Sequence, residues 1–293
     1  MKKNRPNKAF SLIEISIVIL IVGILISGVS LGVDLYQDFR LASARSLTQN
    51  SRVGRINDLV LWLEASQKSS FEPDNIADGI AITKWKNIAP NLLANDRARF
   101  DAVKTSLSVS GPIYRENAIN SLAGLEFVNS ENRCMQVASG FDGNGKDTTV
   151  FLVIKTAENW SSAADYRLLS RWPTGSAFYE IRTNETPFSN GVNFSKFTYN
   201  AKTNKLYILN FIINRSENIN FYFNKKKLTS IEDSWTGTYS NSVLYVGCKG
   251  AIPPSFGFPN AHYLELIIYD RALNDNERIA IEDYLSKKWG NFN

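Results

Sequence analysis

The hydrophobic pattern divides the chain into three textures. From Ile15 to Val33 no charged residue occurs, a run of 19 positions that are apolar, small or hydroxylated. As a helix this run extends about 28 Å at 1.5 Å per residue, close to the hydrocarbon thickness of a bilayer. Behind it, Leu35, Phe39, Ala42, Leu47 and Val53 recur at roughly helical spacing among Arg40, Arg45, Arg52 and Arg55. That pattern predicts an amphipathic stem over 34–58, and no proline interrupts it. At Leu59 the texture changes to short apolar runs separated by Gly, Asn, Asp, Ser and Pro clusters. Strands are predicted at Leu59–Leu63, Leu122–Val128, Thr149–Ile154, Arg167–Leu169, Leu206–Ile213, Ile219–Phe223, Val243–Val246 and Tyr263–Tyr269, with Asn224–Lys227 as a solvated hairpin turn. Many short strands without long amphipathic helices argue for a β-sandwich. The chain closes on a third pattern. Asn274 is placed to cap a helix with Glu277 at its third position, Ile281, Tyr284, Leu285 and Trp289 form its buried face, and Gly290 stops it.

Charge changes the picture at the N-terminus. The net charge is +5, but Lys2, Lys3, Arg5 and Lys8 precede the apolar run, and without these four of the 33 basic residues 29 stand against 28 acids. The basic excess is therefore a topology signal and not a nucleic-acid footprint, and no nucleic-acid partner is expected. Basic residues before the run, with Asp34 and Asp38 just after it, predict a cytoplasmic N-terminus and a chain that is periplasmic or extracellular from Asp34 onward. One acid, Glu14, sits at the edge of the span, where burial in lipid is costly: roughly 2.5–3.5 kcal/mol at a helix centre.

The stretch Ala9-Phe10-Ser11-Leu12-Ile13-Glu14, with its basic leader, resembles the N-terminus of type IV prepilins. The resemblance implies that prepilin peptidase cuts between Ala9 and Phe10, that the new amine of Phe10 is methylated, and that Glu14 pairs with the amine of a neighbouring subunit. Ala9 stands where most members of the family have Gly. Two other readings share the charge layout. A secretory signal peptide could use Gly28-Val29-Ser30 as its cleavage site, and a plain signal anchor would carry Glu14 by accident; neither gives Glu14 a role. Gly28 and Gly32 lie four apart on one helix face and would permit close helix packing, while Gly23 lies where pilin helices can unwind locally. Leu31 occupies a region where many major pilins carry proline, which favours a minor pilin or pseudopilin. The expected organisation is a leader at 1–9, a helix at 10–58 (membrane span about 15–33, stem 34–58) and a head at 59–293.

The head resembles a bacterial concanavalin A-like (laminin G-like) domain. The resembling segments are LVLWLEAS at 59–66, DGIAITKWKN at 78–87, INSLAGLEFV at 119–128, TVFLVIK at 149–155, INFYFNKKKL at 219–228 and LELIIYDRALNDNERIAIEDYLSKKWG at 264–290. The expected fold is mainly β: a long N-terminal helix, then a jelly-roll sandwich with a short C-terminal helix. Some proteins of this fold are glycosidases, which need two carboxylates across the sugar. No alternating run of acids occurs, Glu265 and Asp270 fall on opposite faces of an extended strand, and the single histidine, His262, has no nucleophile elbow, so no enzymatic activity is expected. Asp142 to Asp147 resembles the opening of a calcium loop but has Lys146 at a ligand position, and reads as a turn. Calcium elsewhere on the rim stays unassigned, and no other cofactor is expected. Of six tryptophans, Trp62, Trp85 and Trp289 fall in core patterns, whereas Trp160, Trp172 and Trp235 fall in loop-like surroundings and are candidates for a sugar-stacking platform or for loop packing. Cys134 and Cys248 could form one disulfide in an exported chain or remain two buried thiols. The functional expectation is a pilin-like subunit that displays a lectin-like head to a glycan or surface protein. The alternatives are a type II secretion pseudopilin and an anchored lectin-like domain that never polymerises.

Overall fold

The computed structural model describes residues 11–292 except 73–75, 107, 129–132, 141–146, 158–165, 172–176, 183–184, 191–193, 215–218, 230–242 and 249–259. A helix of 39 residues, Leu12–Asn50, comes first. It ends eight residues before the expected stem boundary at 58. The chain turns extended at Ser51, whose backbone N–H and hydroxyl both donate to the Thr48 carbonyl, and one 3-10 turn follows at Val53–Arg55. Ser51 satisfies the terminal carbonyl that a further helical turn would otherwise have used.

Two antiparallel sheets follow. In the first, the order is Lys226–Leu228, Ile219–Phe223, Leu206–Ile213, Thr148–Thr156 and Ala261–Tyr269. On its far side the last of these pairs with Leu122–Phe127 through one half and with Leu59–Glu64 through the other, and Ile113–Ile119 lies outermost. The second sheet runs Phe194–Thr198, Glu185–Asn190, Ala177–Arg182, Arg167–Arg171, Leu244–Val246, Met135–Val137, Ala102–Lys104, Lys84–Trp85 and Phe71–Glu72. The fold is therefore mostly β, a sandwich carried on a long N-terminal helix and finished by the helix Asp275–Trp289.

Central strands of the first sheet are buried on both faces, which explains their unbroken apolar runs. Along Leu206–Ile213, Tyr207, Leu209, Phe211 and Ile213 face the sandwich core, while Leu206 and Ile208 enter a second core beneath the helices. Thr148–Thr156 divides the same way, with Val150, Leu152 and Ile154 on one side and Phe151 and Val153 on the other. Strand periodicity of two thus feeds two cores at once. The closing helix caps as its sequence predicts: Asn274 accepts from the Glu277 N–H, Glu277 accepts from the Asn274 N–H, and Ile281, Tyr284, Leu285 and Trp289 are buried. The hairpin turn is tighter than expected. Only Asn224 and Lys225 turn, both at positive φ (49° and 68°), and Lys226 already belongs to the returning strand.

Candidate functional site

The N-terminal helix is exposed along most of its length. Leu12, Ile13, Ile15, Ile17 to Val22, Ile24 to Ile26, Val29, Leu31, Val33, Leu35, Tyr36 and Phe39 all face outward, so the protein's own head covers none of this apolar surface. Leu35 and Phe39, read as apolar positions of the amphipathic stem, are exposed and do not face the head. The head-facing positions are Leu41, Ala44, Leu47 and Thr48, spaced three or four apart. At its start, Ser11 caps the helix. The Ser11 hydroxyl accepts from the Ile13 N–H, and Glu14 Oε2 accepts the Ser11 N–H at 2.8 Å. Glu14 therefore has a partner within a single copy. Ser16 and Ser30 donate their hydroxyls to the Ile13 and Ile26 carbonyls, which satisfies them without water. Cβ atoms added at Gly23, Gly28 or Gly32 would meet nothing within 4 Å, so the surface they open is unfilled in one copy. Ala9 and Phe10 lie outside the described residues.

Where the stem meets the head, the structure builds a charge cluster that sequence spacing did not reveal. Glu64 and Glu265 stand opposite each other on adjacent strands. A register shift between Tyr263 and Glu265 turns the second strand so that Glu265 faces the helices beside Leu264. Lys288, on the closing helix, reaches down between the two acids, 2.7 Å from Glu64 Oε1 and 3.0 Å from Glu265 Oε2. All three side chains are fully buried. Glu265 also accepts from Trp62 Nε1 at 2.6 Å, Trp289 Nε1 at 2.7 Å and the Tyr284 hydroxyl at 2.8 Å. The Lys288 ammonium donates further to Thr48 Oγ1 on the stem at 2.8 Å. Burial pushes the Glu265 carboxyl above its ordinary range, Lys288 opposes that shift and Glu64 adds to it. The cluster joins the stem, the two adjacent strands and the closing helix through one ammonium. Sealed from solvent, the pair of acids has no access to a sugar. The relevant signal was the strand pairing of LVLWLEAS with LELIIY, which single-strand alternation does not disclose.

His262 sits near the start of its strand, half-buried beside a cleft of about 490 Å3 lined by Gln37, Asp78, Arg115, Glu116, Asn117 and Ser121. Burial lowers its imidazole pKa, Glu126 works against that shift, and Lys155 and Arg115 add to it. Its Nδ1 is buried without a hydrogen-bond partner among the described residues. The cleft's charges are paired: Arg115 to Glu126 at 2.7 Å and to Asp78 at 3.5 Å, Glu116 to Lys68 at 2.8 Å. Cys134 and Cys248 are joined as a disulfide, Cα atoms 5.6 Å apart, within the usual range. The bond flanks the paired strands Met135–Val137 and Leu244–Val246. Trp62, Trp85 and Trp289 are buried, as their patterns predict. Trp160, Trp172, Trp235 and the turn residues 142–146 lie outside the described residues. Among the described residues no group of three His, Cys, Asp or Glu side chains forms a metal site.

An exposed apolar helix opening on a capped acid, with a sandwich docked at its far end, defines a prepilin-type N-terminal segment fused to a β-sandwich head. Comparison with known families agrees: residues 4–30 match the prokaryotic N-terminal methylation motif. The head is similar to receptor-binding domains of clostridial toxins. It superposes on the binding domain of botulinum neurotoxin DC in complex with rat synaptotagmin II with a TM-score of 0.55 at 14% identity, over 82% of this chain and 55% of that one. The binding domain of Paraclostridial Mosquitocidal Protein 1 gives 0.53 at 15% identity, over 80% and 55%. A structure of botulinum neurotoxin type C, whose cell entry is dependent upon interaction with two ganglioside molecules, gives 0.54 at 13% identity, over 82% and 56%. The chain thus spans about half the length of these structures, and at such identities the likeness is one of fold. No curated protein matches the chain in sequence.

Proposed function

We propose that the chain is a type IV pilin-like subunit, of the minor or pseudopilin kind, that carries a binding head into a filament and performs no catalysis. The observation that carries this reading is the methylation motif at residues 4–30 running into a helix whose apolar surface is left open by the head. Prepilin peptidase cuts between Ala9 and Phe10 and the Phe10 amine is methylated. The helix then leaves the inner membrane for the filament core, and Gly28 and Gly32 admit a neighbour's helix closely. Glu14 exchanges its Ser11 N–H for the amine of an adjacent subunit, so that two groups costly in an apolar core neutralise each other.

The disulfide supports a head outside the cytoplasm, because such bonds persist in oxidising compartments. The head binds a glycan or surface protein through its rim. The toxin binding domains that share its fold make this a fold-level analogy. Absence of catalysis is supported by the sealing of Glu64 and Glu265 under the closing helix.

Glu14→Ala in the native cells tests the assembly reading. The variant should remain in the membrane fraction with a folded head and disappear from sheared filaments. Unchanged recovery in filaments would sink it, and recovery of the unaltered chain only with a secretion machine would select the pseudopilin form.

A further inference from the structure

Two clefts adjoin where the stem gives way to the head, and Arg55 lines both. One, of about 420 Å3, is lined by Arg52, Arg55, Ile56, Asn57, Arg271 and Glu277. The acids beside it are spent on Arg271, which reaches Glu277 through Nη1 at 3.0 Å and lies 3.7 Å from Asp58. Arg52 and Arg55 are exposed, and neither side chain has a carboxylate partner among the described residues. The other cleft, of about 360 Å3, presents Trp62, Ile88 and Pro90 beside Gln49, Ser51 and Gln67. Gly54 seats the turn against it: an added Cβ would come within 2.7 Å of Pro90 Cγ. Both clefts lie at the end of the head away from the apolar span. Arg40, near the span, donates to the Asn120 carbonyl, and Asn120 donates to the Trp289 carbonyl in the last turn of the closing helix. That helix therefore runs antiparallel to the stem, and its first turn brings Glu277 up beside Arg52 and Arg55.

We propose that these paired clefts bind an acidic polysaccharide, with a sugar carboxylate held by Arg52 and Arg55 and the adjoining sugar ring seated at Trp62 and Pro90. Guanidinium groups bind carboxylates through charge-assisted, often bidentate hydrogen bonds, and two arginines without an acid of their own are ready for one. The second cleft matches the rest of a sugar. A pyranose ring has an apolar C–H face, which suits Trp62, Ile88 and Pro90, and hydroxyls at its edge, which suit the Gln49 and Gln67 amides and the Ser51 hydroxyl. An acidic peptide satisfies the arginines but brings no ring of hydroxyls to those amides. A lipid phosphate is a poorer occupant still, because the clefts face away from the span. The inference rests on the glycan-binding reading of the head, and gives that reading a place on the rim and a class of sugar.

Equilibrium binding by the full chain in detergent micelles tests it, with oligogalacturonate as the probe and its methyl ester as the uncharged control. The chain should bind the acid, bind the ester about tenfold more weakly or worse, and lose affinity for the acid as salt rises. Arg52→Gln and Arg55→Gln should each weaken binding of the acid by about tenfold, since each removes a charge-assisted hydrogen bond. Both side chains are exposed, so each variant should melt at the temperature of the original. Lys226→Gln with Lys227→Gln removes exposed charge outside both clefts and should leave affinity unchanged. Equal affinity for acid and ester, or arginine variants that bind the acid as tightly as the original, overturns this site and leaves the glycan reading of the head standing. A chain that binds neither saccharide but takes up polyglutamate overturns both and makes an acidic protein the partner.

Discussion

The Lys288 ammonium lies 3.0 Å from the Glu265 carboxylate, with both side chains fully buried at the junction of stem, sandwich and closing helix. A second acid, Glu64, stands 2.7 Å from the same ammonium. Two acids share one buried cation, so the cluster depends on every member. Lys288→Met should destabilise the head by about 3–5 kcal/mol, because it strands two buried carboxylates. Adding Glu64→Gln and Glu265→Gln to that variant should recover a large part of the loss, since the neutral amides keep the contacts without the charge. Urea titrations of the three chains, read by tryptophan fluorescence, give the comparison. A single Lys288→Met variant as stable as the original would remove the cluster from the account.

The stem contributes to the head over one short face. Ala44 and Thr48 are buried, Leu41 and Leu47 pack against the helix-side core, and Thr48 accepts from Lys288. A chain beginning at Arg40 should fold as a soluble head, because the apolar side chains before it are exposed and belong to neither core. A chain beginning at Asp58 should be less stable by about 2–4 kcal/mol, having lost those apolar contacts and a partner of the buried ammonium. Thermal unfolding of the two truncations decides the matter. Equal stability would show that the docked turns are passive.

His262 predicts a pH response. Burial lowers its folded pKa below the ordinary 6.5, so the unfolded chain takes up a proton at higher pH than the folded one. Stability should therefore be steady above that value and decline as pH falls below 6.5 toward the folded pKa. The groups around the ring are Glu126, which favours the proton, and Lys155 and Arg115, which oppose it. His262→Gln should flatten the slope of melting temperature against pH between about 6.5 and 5. A slope unchanged by that substitution would assign the response to another group.

Much of this molecule was readable from local pattern. The span, the strands at Leu206–Ile213 and Ala261–Tyr269, and the closing helix with its Asn274–Glu277 capping box each write their structure in consecutive residues. Short strands such as Ala102–Lys104 and Met135–Val137 escaped, because three residues carry too little periodicity to register. The stem end was overrun for a related reason: Val53 continues the apolar spacing but is buried from a 3-10 turn after Ser51 has closed the helix. The Glu64–Glu265–Lys288 cluster was illegible in principle. Its members lie about 200 residues apart in part, and a bulge reverses the facing that simple alternation assigns to Glu265. Cys134 and Cys248 are 114 positions apart, so their union depended on the strand pairing that brings their flanks together.

The measurement that bears most directly on the account is the intact and N-terminal mass of the protein recovered from its native cells. The account predicts a chain that begins at Phe10 and carries one additional methyl group on its amine. A chain that begins at Met1, or one cut near Ser30, would contradict it and leave a sandwich domain that is anchored or secreted but never assembled.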